Sequence, residues 1–307
     1  MMYIIGFGAI GKALAAFFAA EGKPVTVIRG SVNDGSTTQE EVVIELADGT
    51  VMKQTIPVYT LNAVDQIDGI VMVTTKSFGN KELSLKLSSR LGNNTPVVIL
   101  QNGLNVEAPF ISQGFPHIYR CVLFATSLIL SNGAVRFRPV TDSPVGLIQG
   151  DIATMQHLIA EINTPYFRFK PETDIQTVIW KKAIMNTVFN SVCPLLETDN
   201  GIFHRDSLAL QVAQKLIRSG IAIAAKVGVH LSQQEIETGL INISVASDGQ
   251  AISTLQDLNN GRQTEINTLN FEMVSIAGKH GLEKEASEIL LLGELIKIKE
   301  QLKLKSI

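Results

Sequence analysis

One hexapeptide near the start of the chain constrains its fold more than any other feature. Gly6-Phe7-Gly8-Ala9-Ile10-Gly11 follows an apolar run at residues 1–5 and precedes a helix-like stretch at 9–21, after which residues 25–28 form a second β-branched run. This is the strand–helix–strand setting in which a GxGxxG pattern has a physical meaning. The first glycine permits a tight turn, the second lets the backbone approach a pyrophosphate, and the third lets helix and strand pack closely while the helix N-terminus faces the anion. Outside that setting the same letters would describe only a glycine-rich turn. Inside it, Gly6, Phe7, Gly8, Ala9, Ile10 and Gly11 are expected to bind a dinucleotide.

The alternation continues. Residues 42–46 and 51–58 are strand-like and flank Asp48-Gly49, a dipeptide suited to the positive φ angles of a tight turn, so a hairpin is expected to decorate the sheet. Runs at 70–74 and 97–100 read as buried strands separated by a helix near 81–90, with further strands at 122–130 and 134–137. Beyond Lys170-Pro171 helical patterns take over, at 174–195, 207–227, 233–245, 252–280 and 284–301. Ser232 and Glu235 have the spacing of a capping box at the start of the third. The expected fold is α/β: an N-terminal Rossmann-type doubly wound sheet domain over 1–171, followed by an all-helical domain over 172–307.

Composition removes several function classes. With 26 basic against 29 acidic residues and no basic run, the chain is not expected to bind nucleic acid. The apolar start has no basic segment before it and is punctuated by glycines, so it does not read as a signal peptide, and no apolar run is long enough to span a bilayer. Cys121 and Cys193 lack metal-like spacing and sit in apolar surroundings, which fits buried thiols in a reducing, cytoplasmic compartment and neither a disulfide nor a metal site.

Where NAD-binding sheets typically place an acid, at the end of the second strand, this chain has Arg29-Gly30-Ser31. A guanidinium and a hydroxyl there suit a ribose 2′-phosphate, so NADPH is the expected cofactor; a solvated surface arginine is the alternative. Lys76 follows the strand at 70–74 and Asn102 the strand at 97–100, both on the edge where open α/β sheets bind ligands. An ordinary exposed lysine and a plain Asn-Gly turn are the competing readings.

The helix expected at 174–195 is apolar over most of its circumference, yet Lys182, Asn186 and Asn190 recur every fourth residue on one stripe. Asparagines inside an apolar helix need partners, which a neighbouring helix, water or a substrate could supply. On the helix expected at 252–280, Ser253, Asp257 and Glu265 lie at i, i+4 and i+12, with Gly261 at the intervening i+8 position, and form a second polar stripe. A lysine and a carboxylate brought together could donate a proton while amides and a hydroxyl orient a hydroxy-keto acid.

These residues together resemble the ketopantoate reductases over nearly the whole chain. The likeness is carried by the glycine hexapeptide, Arg29, Lys76 within Thr74-Thr75-Lys76-Ser77, Gln101-Asn102-Gly103, the W-x-K-x-x-x-N-x-x-x-N segment from Trp180 to Asn190, and Ser253 to Asp257 with Thr264-Glu265. The resemblance implies an NADP-dependent oxidoreductase that reduces ketopantoate to pantoate in pantothenate and coenzyme A biosynthesis, with its active site in a cleft between two domains. It further implies catalytic roles for Lys182, as proton donor, and Glu265. Asn186, Asn190, Asn200 and Ser253 would bind substrate, while Arg29, Lys76 and Asn102 would contact cofactor. The implied partners are a small 2-keto acid and, as an open alternative, a second copy of the chain in a homodimer. Another keto acid, or a non-catalytic NADPH sensor, are the rival functions. Two departures stand out: Asn190-Ser191 replaces the Asn-Pro frequent in the family, with proline delayed to Pro194, and 124–133 lacks the family's run of small residues.

Overall fold

In the computed structural model, which describes residues 1–30 and 32–305, the chain divides into two compact units. One comprises Met1–Gln101 and Val106–Ile175, the other Asn102–Asn105 and Gln176–Ile307.

The first unit begins with β1 (Met2–Ile5), α1 (Ala9–Ala20) and β2 (Val25–Arg29). It continues with β3 (Thr37–Glu45), β4 (Val51–Thr60), β5 (Ile70–Val73), α2 (Asn80–Ser88), β6 (Val97–Ile99), α3 (Ala108–Ser112) and β7 (Ile118–Cys121). β8 (Ala125–Ile129), β9 (Val135–Pro139), β10 (Ser143–Gln149), α4 (Ile152–Ile162) and β11 (Phe169–Glu172) complete it. One 11-stranded sheet runs β11-β10-β7-β6-β5-β1-β2-β4-β3-β9-β8. Its central segment β4-β2-β1-β5-β6-β7 is parallel throughout. That is the strand order of a doubly wound dinucleotide-binding sheet.

Side-chain alternation explains why these strands are apolar on both faces. Met2 and Ile4 of β1 join one cluster with Phe17, Phe18 and Val27, whereas Ile5 joins another with Ile28, Val73, Ile99 and Phe110. With a period of two, successive residues bury on opposite faces, so a sheet covered on both sides needs continuous apolar runs.

Three expectations change here. The hairpin at 42–58 does not merely decorate the sheet, because β4 pairs in parallel with β2 and β3 runs antiparallel beside β4. Its turn is wider than a two-residue loop: only Gly49 has a positive φ, 85°, and its N–H donates to Leu46. The strand expected at 122–130 starts later, and β7, β10, α4 and β11 were not anticipated.

The second unit is helical: α5 (Ile175–Leu195, entered from the first unit), α6 (Ile202–Arg205), α7 (Ser207–Lys226), α8 (Gln233–Ala246), α9 (Ser253–Asn259), α10 (Asn270–Lys279) and α11 (Ser287–Lys305). The single helix expected at 252–280 is broken. Gly261 adopts φ 58°, its N–H bonds to the Leu258 carbonyl, and the Arg262 N–H bonds back to Asp257. This pair of bonds around a left-handed glycine is the Schellman stop. Ser253, Asp257 and Glu265 therefore do not share one helical face. The capping box at α8 is half formed: Ser232 Oγ accepts the Glu235 N–H, while the Glu235 carboxylate pairs with Lys181.

Among the described residues no helix is long and apolar enough to cross a membrane, and no group of three or more His, Cys, Asp or Glu side chains could hold a metal ion.

Candidate active-site residues in the two units

In the first unit, the loop between β1 and α1 is built by its glycines. Gly6 has φ 119°, and Thr74 Oγ donates to the Ile5 carbonyl at 3.0 Å, tying the turn to the end of β5. A Cβ on Gly11 would lie 2.0 Å from the Gly6 carbonyl oxygen, so α1 can approach the loop only as glycine allows. A Cβ on Gly8 would meet nothing within 4 Å. Gly8 is also the N-cap of α1, whose first turn carries no acidic residue and no side-chain cap. Open space over uncapped N–H groups at a helix N-terminus fits a pyrophosphate. Phe7, Ala9 and Ile10 lie partly buried against the core under this loop.

Arg29 ends β2, half-buried, with its guanidinium carbon 5.6 Å from the centre of the Phe7 ring. Ser31, expected beside it, lies outside the described residues. Lys76 is half-buried, three residues beyond the end of β5, and caps a 3₁₀ turn. A pair of buried amides that sequence reading missed holds this edge together. Asn80 and Gln101 exchange two hydrogen bonds, at 2.7 and 2.8 Å, while Gln101 Nε2 also donates to the Thr75 carbonyl and Asn80 Nδ2 to that of Val106. Buried Arg120 likewise pairs with Glu107 and donates to the Gln101 carbonyl at 3.2 Å. Only the QNG turn hinted at these contacts.

In the second unit, α5 carries Lys182, Asn186 and Asn190 on one face, the first two half-buried and Asn190 buried. Neighbouring Lys181 pairs with Glu235 of α8. Asn190 Oδ1 accepts from the Thr254 N–H at 3.4 Å and Ser253 Oγ at 3.5 Å, so the start of α9 is held on this stripe. Ser253 itself remains exposed. Asn200 is buried, donates its N–H to Gln250 and accepts Ser244 Oγ on its carbonyl. Its side-chain Oδ1 is buried without a hydrogen-bond partner among the described residues. Buried polar atoms normally find partners, so this oxygen is an exception in the packing of the segment after α5.

Glu265, half-buried, lies just beyond the break after α9, and Asn102 Nδ2 is 3.4 Å from its Oε2. Asp257 is buried and accepts Arg262 Nε at 3.1 Å. The segment before Glu265 is fixed by a residue that sequence reading did not single out. Glu300 Oε2 accepts both the N–H and the hydroxyl of Thr264 at 2.7 Å. Burial alone would raise the Glu300 pKa, but the Lys297 and Thr264 hydrogen bonds outweigh it and hold the carboxyl below its ordinary range. The Ser191 hydroxyl accepts from Asn270 Nδ2 at 2.9 Å, and Pro194 is accommodated inside the last turn of α5. Cys121 and Cys193 are both buried, and burial foremost pushes the Cys193 thiol up to about 12, so it is no thiolate nucleophile.

The family model "Ketopantoate reductase PanE/ApbA" matches residues 2–146, and "Ketopantoate reductase PanE/ApbA C terminal" matches residues 174–300. A 2-dehydropantoate 2-reductase of Pyrococcus abyssi is 24% identical over 303 residues, covering 98% of each chain. Among solved structures, the ternary complex of D-mandelate dehydrogenase with NADH and anilino(oxo)acetate superposes with a TM-score of 0.84 at 20% identity, over 99% of both chains. A dimeric ketopantoate reductase from Staphylococcus aureus gives 0.81 at 17% identity, over 98% of this chain and 99% of that one. The chain belongs to the ketopantoate reductase family of NAD(P)-dependent oxidoreductases.

Proposed function

We propose that the protein is a cytoplasmic 2-dehydropantoate 2-reductase that uses NADPH to reduce ketopantoate to pantoate, serving pantothenate and coenzyme A biosynthesis. The first unit is the NADP-binding domain and the helical unit the substrate and catalytic domain, with the functional boundary near residues 171 and 172. The observation that carries the reading is the polar stripe on an otherwise apolar α5: half-buried Lys182 and Asn186 beside Asn190, whose amide holds the start of α9.

When bound, a nicotinamide would supply the hydride for the substrate C2. Gly6 to Gly11 would hold its pyrophosphate against the start of α1, Arg29 would meet the 2′-phosphate, and Lys76 and Asn102 would steady the cofactor. The Lys182 ammonium stabilises charge growing on the carbonyl oxygen and donates its proton there, completing the 2-hydroxy acid; solvent then reprotonates the amine. Glu265 orients that ammonium and accepts the substrate hydroxyl, while Asn186, Asn190, Asn200 and Ser253 bind the rest of the substrate.

A second reading, reduction of a different 2-keto acid, is favoured by the D-mandelate dehydrogenase likeness and by Ser191 at the family's proline position. Absorbance of NADPH followed with a panel of 2-keto acids tests both. Oxidation fastest with ketopantoate supports the first, a preference for another acid selects the second, and no oxidation with any acid overturns both in favour of a sensor.

A further inference from the structure

The end of β2 carries a carboxylate as well as a guanidinium. Arg29 Nη2 donates to Glu40 Oε1 at 2.7 Å, and the same oxygen accepts Thr38 Oγ at 2.9 Å. Glu40 reaches this position through two sheet pairings. Arg29 of β2 is in register with Thr60 of β4, and Glu40 of β3 with Ile56 of the same strand. A search for an acid at the end of the second strand misses it, because it arrives from two strands away. The pair is half-buried, with 35% of each side chain accessible. Phe7 of the glycine loop completes the surroundings, with Lys12 Nζ 4.8 Å from the centre of its ring.

We propose that Glu40 is a cofactor-specificity residue, which by engaging Arg29 favours a ribose bearing free hydroxyls and restrains binding of a 2′-phosphate. The inference rests on the reading that this edge of the sheet holds the adenine ribose of the cofactor. A carboxylate accepts hydroxyl protons and is the usual partner of the diol in NAD sites. A 2′-phosphate carries a charge of about −1.5 to −2 and competes with Glu40 for the same guanidinium. Guanidinium has five donors, so Arg29 can serve either anion, but placing both beside it brings like charges together. Arg29 thus admits NADPH while Glu40 keeps NADH competitive. Because the ion pair is partly solvated, its influence is moderate, about 3- to 10-fold in relative affinity.

The test is calorimetric binding of NADPH, NADH and 2′,5′-ADP to the wild type and to Glu40→Gln and Arg29→Ala, with thermal unfolding confirming that each variant is folded. Glu40→Gln is expected to raise the NADPH-to-NADH affinity ratio about 3- to 10-fold and to tighten 2′,5′-ADP similarly, while Arg29→Ala lowers the same ratio. An unchanged ratio in Glu40→Gln together with a lowered ratio in Arg29→Ala overturns the role of Glu40 and leaves the Arg29 reading standing. Ratios unchanged in both variants remove Arg29 and Glu40 together from ribose recognition. Failure of the wild type to bind either dinucleotide overturns the underlying cofactor reading.

Discussion

Asn102 and Glu265 are 163 positions apart in the chain, yet the Asn102 amide lies 3.4 Å from the Glu265 carboxylate. The short segment Asn102–Asn105 is part of the helical unit, and three further contacts fix it there. The Leu104 N–H donates to the Thr268 carbonyl at 2.8 Å and Asn105 Nδ2 to Glu272 Oε1 at 2.7 Å. Gly103, at φ 102°, lies so close to Thr268 that a Cβ would come within 2.6 Å of its hydroxyl. Glu265 is therefore held by a defined neighbour. Glu265→Ala should lower kcat/KM by about 10- to 100-fold, the loss of one charge-assisted hydrogen bond to substrate, and Glu265→Gln by less, because it still accepts. Steady-state kinetics checks this order, and wild-type kcat/KM in the alanine variant would remove Glu265 from the site.

Lys182→Ala should reduce kcat by roughly 10²- to 10⁴-fold while the NADPH dissociation constant stays nearly constant. Lys181→Ala, one residue earlier, removes only the contact to Glu235 and should leave kcat near wild type. Turnover and fluorescence titration of NADPH separate the two, and comparable losses of kcat in both variants would contradict the distinction.

Two glycines of the same loop should behave oppositely. Gly11→Ala forces a Cβ against the Gly6 carbonyl oxygen, a backbone atom that cannot easily move, and overpacking of this kind costs about 1–3 kcal/mol. Its Tm should fall. Gly8→Ala meets open space and has an ordinary φ of −80°, so its Tm should hold while cofactor affinity drops, because the methyl group occupies the room the pyrophosphate needs. Differential scanning calorimetry with and without NADPH checks both.

The Glu300 carboxyl contributes a pH dependence of known sign. Its folded pKa lies below the ordinary value of 4.5, so the stability it confers is complete above that value and is lost as pH falls through the folded pKa. Tm should therefore decline in acid, and Glu300→Gln, already lacking the charge, should show a shallower decline together with a lower Tm at pH 7. A Tm profile identical to wild type would contradict the role of Glu300 in anchoring Thr264.

Local signals read well from the sequence and long-range ones did not. The loop at Gly6 to Gly11 and the stripe of Lys182, Asn186 and Asn190 repeat at the periods of their own elements, so both were visible. The stop at Asn259-Asn260-Gly261 is also a local signal, two asparagines and a glycine at a helix C-terminus, but the polar spacing of Ser253, Asp257 and Glu265 runs across it and masks it. Other features depend on pairings between distant segments. The β4 strand enters the parallel sheet only through β2, Glu40 reaches Arg29 across two strands, and Glu300 meets Thr264 from α11. β7 and β11 are four residues each, too short for periodicity to distinguish them from a loop.

The most direct test of the central claim is the ratio of kcat/KM for ketopantoate to that for 2-ketoisovalerate, measured with purified protein and NADPH. If Lys182, Glu265, Asn186, Asn190, Asn200 and Ser253 line the site as proposed, they offer more donors and acceptors than a carboxylate and a carbonyl alone can satisfy. A site built around a substrate hydroxyl rejects the analogue lacking it, because its own polar groups are left unpaired. We expect ketopantoate to be favoured by at least about 10-fold, with water in the vacated position limiting the difference. Equal kcat/KM for the two acids would contradict the ketopantoate assignment.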